Sequence, residues 1–234
     1  MTEIQTVGVI GGGVMGSGIA QALAVGGCSV TVRDLNEQLI EKSKHTITEG
    51  RYGLERGVER GKTTREDADA ALSRLSWTTS VADLNDVDLV VEAVPEDLEL
   101  KKKVFAELDG VLKAGAVFAS NTSGLAISDL NKAVSEARRP KFIGMHWFSP
   151  APVMKLVEIV HAPETAEETV QALESLCQRA GKVAIRVKDA PGRYGFVGNR
   201  IYFAAVREAQ KVLEEGIASV EDINKAMVFG FNWP

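Results

Sequence analysis

Cysteine and histidine are scarce: two cysteines, Cys28 and Cys177, and three histidines occur in 234 residues. The two thiols lie far apart and match no metal or redox spacing, so two reduced, packed cysteines are expected. Aromatic residues make up 6% of the chain and the formal net charge is −5, which leaves no electrostatic case for a nucleic-acid partner. No apolar run approaches the roughly 20 residues that a spanning helix needs, so no membrane span is expected. The opening MTEIQTVGVI lacks the layout of a secretory signal, which points to a cytoplasmic location. What remains is an ordinary globular composition, 45% hydrophobic and 25% charged. The length suits one large domain, or one plus part of a second.

Glycine is where the chain becomes specific. The β-branched run Thr6 to Ile10 ends at glycines, and an apolar helical pattern, Val14 to Val25, follows. Gly11, Gly13 and Gly16 satisfy G-x-G-x-x-G: the first permits a tight turn, the second lets backbone approach a pyrophosphate, and the third allows close helix–strand packing. The opening helix, at Val14 and Met15, offers unpaired N–H groups and a positive dipole end to the phosphates. A second strand, Cys28 to Val32, leads to Asp34, 18 residues after Gly16. An acidic residue there accepts hydrogen bonds from an adenosine ribose and repels a 2′-phosphate, so NAD is preferred over NADP. Arg33 argues the other way, but neighbours along a strand point to opposite faces. The plain alternative is a glycine-rich turn with a surface Asp.

From Leu35 to about Ser73 the pattern is helical and broken by Gly50, Gly53, Gly57 and Gly61, longer than a usual crossover. Its interleaved charges read either as a contact for a phosphate-bearing acyl carrier or as a solvated helical pair. Strands follow at Leu75–Trp77, Asp88–Ala93 and Ala116–Ala119, with an amphipathic helix from Leu98 to Leu112. The last of these strands delivers Ser120, Asn121, Thr122 and Ser123 to its carboxyl end, where ligands collect in doubly wound sheets. Capping a helix from Ile127 to Ala137 is the competing role for these residues. A further strand, Lys141 to His146, a helix, Glu164 to Ala180, and a strand, Val183 to Val187, complete the region. After Asp189-Ala190-Pro191-Gly192 the pattern is helical only, Val197 to Glu215 and Val220 to Val228, and reads as a second domain cut short. The expected fold is therefore α/β: a Rossmann-type, doubly wound, mostly parallel sheet with a helical insertion over 1–188. The start of an all-helical domain occupies 189–234.

The chemistry concentrates in Gly144 to Val160, GMHWFSPAPVMKLVEIV. His146 closes one apolar run, a Pro-punctuated turn follows, and Glu158 lies inside a second run between Val157 and Ile159. A carboxylate there is costly to bury without a partner. A histidine oriented by a carboxylate is a common general acid/base, because the pairing fixes the tautomer and stabilises the imidazolium. The plain alternative is a solvent-facing edge-strand Glu beside a strand-capping His.

Taken together, VGVIGGGVMGSGIA, LVVEAVPEDLELKKKVFAELD, ASNTSGL, GMHWFSPAPVMKLVEIV and GFVGNRI resemble the (S)-3-hydroxyacyl-CoA dehydrogenase family, nearest its short-chain, 3-hydroxybutyryl-CoA type. The resemblance implies a 3-hydroxyacyl-CoA substrate, NAD as cofactor, His146 as the general base and Glu158 as its orienting partner. It places Ser123 and Asn199 around the reacting oxygen, and Asp34, Glu96, Lys101 and Ser123 against NAD. Ser149, three residues after the histidine, stands where the family usually has Asn, at a nicotinamide-side contact. The family's helical domain implies a homodimer when complete. The rivals are a dehydrogenase of a free hydroxy acid or sugar acid, and a non-catalytic NAD-binding module.

Overall fold

The computed structural model describes residues 3–233. Two compact units divide the chain, Met1–Tyr194 and Gly195–Pro234. The first holds β1 (Thr6–Ile10), α1 (Val14–Val25), β2 (Ser29–Arg33), α2 (Glu37–Thr48), α3 (Leu54–Glu59), α4 (Arg65–Ser73) and β3 (Leu75–Thr78). β4 (Leu89–Glu92), α5 (Leu98–Asp109), β5 (Val117–Ser120), α6 (Ile127–Leu130), β6 (Phe142–Trp147), β7 (Leu156–His161), α7 (Glu167–Arg179) and β8 (Val183–Lys188) follow. The eight strands form one sheet in the order β3-β2-β1-β4-β5-β6-β7-β8. Every pairing is parallel except β6 with β7. From β1 the chain runs outward to β3 and then returns to β4, so the strand order reverses between β1 and β4. A crevice at the carboxyl ends of these two strands is the expected ligand position in such a sheet.

The near-continuous apolar runs of β1, β4 and β5 are buried on both faces, as parallel strands under two helical layers require. α1 packs on the sheet through Ile19, Ala20, Leu23 and Ala24, all with 0% exposure, and burial of Ile19 and Leu23 contributes about 1.5–3 kcal/mol each. The long charged excursion after β2, broken by its glycines, is three helices. Asn36 caps α2 through the Leu39 N–H (3.0 Å), and the Thr64 hydroxyl caps α4 through the Asp67 N–H (3.0 Å). Several of its charges pair with one another at the surface, Lys44 with Glu41, Arg56 with Glu59 and Arg65 with Glu55, each at 2.6 Å.

One expected helix is much shorter than its sequence suggests. Instead of running from Ile127 to Ala137, α6 ends at Leu130 and passes into 3₁₀ turns on either side of an extended Val134. Distant partners set this path. Buried Arg138 donates to Asp109 (3.0 Å) and to the carbonyls of Leu112, Lys113 and Ala116, while Asn131 donates to Glu164 (3.3 Å). Nor do Ser120–Ser123 cap α6: its Ile127 and Ser128 N–H groups donate to the Asp189 carboxylate at 3.0 and 2.9 Å.

The second unit consists of α8 (Val197–Glu214) and α9 (Val220–Phe231). Ser219 caps α9 through the Asp222 N–H (3.1 Å), and Asn232 ends it in the left-handed region at φ 53°. Ile201, Phe203, Phe229 and Phe231 of these helices are exposed. Among the described residues no helix is long and apolar enough to cross a membrane.

Candidate active site

The glycine turn links β1 to α1 as the spacing requires. Gly11 has φ +92°, a left-handed value open to glycine, and a Cβ there would lie 3.0 Å from the Ala93 carbonyl. At Gly16 a Cβ would fall 1.7 Å from the Gly11 carbonyl oxygen, so α1 can leave the turn this closely only without a side chain. Around Gly13 a Cβ would meet nothing within 4 Å, and Val14 is 73% exposed. No side chain caps the start of α1. The N–H groups of Val14 and Met15, at the positive end of the helix, therefore have no side-chain cap, and the open turn fits a pyrophosphate.

Asp34 lies beside this turn at the end of β2. Its carboxylate accepts from the Gly12 and Leu35 N–H groups, each at 2.7 Å, which aims it at the glycine turn. Each oxygen keeps a further lone pair that can accept another hydrogen bond. Arg33, on the opposite face of the strand, donates instead to the Thr79 carbonyl (3.3 Å). Behind the turn, Ser17 donates to the Gly12 carbonyl (2.7 Å), and its hydroxyl lies 3.0 Å from that of Ser43 of α2, within hydrogen-bond reach. The turn, α1 and α2 are thus tied together by two buried hydroxyls.

On the antiparallel pair, His146 of β6 stands directly opposite Glu158 of β7. Opposed residues share a face, and the flanking pairs Met145–Ile159 and Trp147–Val157 turn the other way, into the core. His146 Nδ1 and Glu158 Oε2 are 2.7 Å apart, the histidine is 3% exposed and the glutamate 0%. β7 lies between β6 and β8, so Glu158 is no solvent-facing edge residue. With Nδ1–H donating to the carboxylate, Nε2 carries the lone pair of the neutral ring. The ring of Phe148 packs on the imidazole, centroids 4.6 Å apart.

Between these two halves lies a closed ring of polar groups that the sequence did not reveal. Glu92, at the end of β4 with 0% exposure, accepts from Lys101 Nζ (2.6 Å), the Val94 N–H (2.7 Å) and the Ser120 hydroxyl (2.7 Å). Burial pushes its carboxyl above the usual range against the pull of these donors. Lys101 is 1% exposed; its ammonium also donates to the Val94 carbonyl (3.1 Å) and pairs with Glu96 (3.4 Å). Glu96 in turn accepts from the Thr122 hydroxyl (2.6 Å) and the Ser123 N–H (2.8 Å). The ring leaves β5 at Ser120 and returns to the loop at Ser123. Asn121 completes the bracing, its Oδ1 accepting the N–H of Trp147, the residue after His146, at 2.9 Å.

The structure thus gathers Gly11, Gly13, Val14, Met15, Gly16 and Asp34 around one turn. Glu96, Lys101 and Ser123 share one network, and His146 and Glu158 form one pair. Ser149 is exposed in the β6–β7 turn, and Asn199 stands in the first turn of α8, in the second unit. Sequence reading missed Glu92; it placed Asn121 and Thr122 at the ligand end of β5, but not their partners Trp147 and Glu96. Glu92 carried a visible signal, a carboxylate inside the apolar run DLVVEA.

Comparison with known proteins agrees with this architecture. The family model described as 3-hydroxyacyl-CoA dehydrogenase, NAD binding domain, matches residues 6–190, and the C-terminal domain model of the same family matches 195–234. The chain is 40% identical over 234 residues to the mitochondrial hydroxyacyl-coenzyme A dehydrogenase of Rattus norvegicus, spanning 99% of this chain and 73% of the relative. It is 41% identical over 233 residues to a 3-hydroxybutyryl-CoA dehydrogenase of Mycobacterium tuberculosis, covering 99% and 79%. The crystal structure of (S)-3-hydroxybutyryl-CoA dehydrogenase from Ralstonia eutropha superposes with a TM-score of 0.91 at 41% identity, over 99% of this chain and 79% of that one. With the glycine turn, the Asp34 carboxylate beside it and the buried His–Glu pair on one sheet, the chain belongs to the 3-hydroxyacyl-CoA dehydrogenase family of NAD-dependent oxidoreductases.

Proposed function

We propose that this protein interconverts a 3-hydroxyacyl-CoA and its 3-oxoacyl-CoA, with His146 as the general base. The observation that carries this reading is the 2.7 Å His146–Glu158 pair, buried on the same sheet whose glycine turn fits a dinucleotide. Bound NAD supplies the acceptor for the hydride that leaves C3. His146 Nε2 takes the proton of the C3 hydroxyl, so that the oxygen closes to a carbonyl without passing through a free alkoxide. Glu158 holds Nδ1–H, fixes the tautomer and stabilises the imidazolium that forms. Ser123 and Asn199 donate hydrogen bonds to the C3 oxygen as its charge changes. Val14, Met15 and the glycines receive the pyrophosphate, Asp34 the adenosine ribose, and Glu96, Lys101 and Ser149 the nicotinamide side. Lys101, whose ammonium is directed at Glu92, Val94 and Glu96, serves NAD through the position of Glu96.

On the same reading residues 1–188 form the NAD-binding domain and 189–234 belong to a helical domain for dimerisation and acyl-CoA closure. The exposed Ile201, Phe203, Phe229 and Phe231 support a homodimer, which sedimentation velocity tests. A cytoplasmic location belongs to this proposal as well, and cell fractionation tests it. The activity is tested by following NADH absorbance with acetoacetyl-CoA and, separately, with free acetoacetate. Oxidation with the thioester alone is the expected result. Comparable oxidation with the free acid points to a hydroxy-acid enzyme. NADH binding with no turnover of either leaves a non-catalytic module.

A further inference from the structure

One buried cation has no part in the chemistry above. Lys182 sits in the turn between α7 and β8, 9% exposed, and burial pushes its ammonium below the usual lysine range. Its Nζ is met by main-chain oxygens: the carbonyls of Ala151 (2.6 Å), Met154 (2.9 Å) and Pro152 (3.4 Å). The Trp147 ring lies below it, 5.6 Å from Nζ to centroid. Burying an ammonium is costly unless its hydrogens are satisfied, and here three carbonyl dipoles and an aromatic face do so. The three carbonyls belong to one segment, the connection from β6 to β7, and Trp147 is the last residue of β6, where that connection begins.

That connection joins the two members of the acid/base pair. Trp147 follows His146, and the turn folds back through Val153 and Met154 N–H groups donating to the Pro150 carbonyl at 2.9 and 3.0 Å. Its far end is held by the Val183 N–H donating to Lys155 (2.8 Å), one residue along from Lys182. On its other side the turn rests on α1: a Cβ on Gly18 would lie 2.9 Å from Pro152 Cδ and 3.2 Å from Ala151 Cβ. α1 is the helix that opens at the pyrophosphate turn. The segment is therefore gripped between Lys182 on one side and the nucleotide helix on the other.

We propose that Lys182 is a positioning residue for hydride transfer: its ammonium clamps the His146–Glu158 connection against α1 and so sets the base relative to the bound nucleotide. This rests on the dehydrogenase reading above. Misplacing a reacting group by about 1 Å costs on the order of a hundredfold in rate, so a clamp on this turn acts on catalysis more than on binding.

The experiment compares Lys182→Met with the wild type in NADH binding, in kcat and KM for acetoacetyl-CoA, and in the primary isotope effect with NADH deuterated at the transferred position. Lys182→Met should lower kcat per NADH-binding site by about tenfold to a hundredfold and raise the isotope effect, with NADH affinity and KM within about threefold. A lysine that merely supports the fold would reduce the number of NADH-binding sites and leave kcat per site and the isotope effect unchanged; that result overturns the proposal. Should Lys182→Met not fold, Gly18→Ala presses the same turn from the opposite side and should give the same signature. A folded Gly18→Ala with wild-type kcat and isotope effect also overturns it. A wild type that binds NADH without turnover sinks the dehydrogenase reading and this proposal together, whereas an active wild type with an unchanged variant sinks this proposal alone.

Discussion

Replacing Lys101 by Met probes the polar ring at the head of β4 and β5. The substitution keeps the stem and removes an ammonium that lies 2.6 Å from Glu92, 3.1 Å from the Val94 carbonyl and 3.4 Å from Glu96. Glu92, with 0% exposure, then keeps only the Ser120 hydroxyl and the Val94 N–H. Removing one partner of a buried pair costs about 3–5 kcal/mol, against a total stability of about 5–15 kcal/mol for a typical domain. In Glu92→Gln/Lys101→Met no buried charge is stranded and the amide still accepts from Ser120, so the double variant should recover most of that loss. Urea unfolding at pH 7, followed by tryptophan emission, measures all three proteins. The single variant should also be pH-dependent. Burial pushes the Glu92 carboxyl up, a raised folded-state value whose stabilising contribution is held at lower pH and lost as pH rises through it. Lys101→Met should therefore be more stable at pH 5 than at pH 7. Stability within about 0.5 kcal/mol of wild type, or a double variant weaker than the single, would refute the electrostatic argument, since surface-like pairs give changes of that size.

Gly16→Ala sets a methyl 1.7 Å from the Gly11 carbonyl oxygen. It should destabilise the fold by about 1–3 kcal/mol or more and weaken NADH binding by on the order of tenfold, read by a thermal melt and a fluorescence titration. Cys177 is pushed up to about 12 by burial, and burial raises Cys28 as well. Neither thiol should react with a disulfide reagent at pH 8 until urea unfolds the chain. Burial alone would raise Asp88, but donation from Lys113, the Gln5 N–H and Thr6 holds it at about 2. A depressed carboxylate stabilises above its unfolded value near 3.8 and ceases to do so as pH falls through about 2. Asp88→Asn should flatten that acid limb, by on the order of 1 kcal/mol for so partly exposed a group.

Local patterns with local causes were the readable part of the chain. Thr6–Ile10 and Val14–Val25 have the boundaries that the glycine turn implies, because strand, turn and helix are fixed by residues adjacent in sequence. His146 and Glu158 were readable for a related reason: two apolar runs about a Pro-rich turn pair in the register that sets them opposite. The break after Leu130 was not, since Arg138 answers to Asp109 and the start of α6 to Asp189, tens of residues away. Nothing in the sequence around Lys182 marks it, and only the fold brings it to the carbonyls of Ala151 and Met154. Glu92 is the instructive omission. It sits in an apolar run as Glu158 does, but its counter-charge, Lys101, lies among three consecutive lysines that a helical pattern assigns to solvent.

The role of His146 is tested most directly by the turnover of His146→Gln with NADH and acetoacetyl-CoA, measured beside its NADH affinity. Turnover should fall by about 10²–10⁴-fold while NADH binds as in the wild type. Near-normal turnover with intact binding would contradict the assignment of the base.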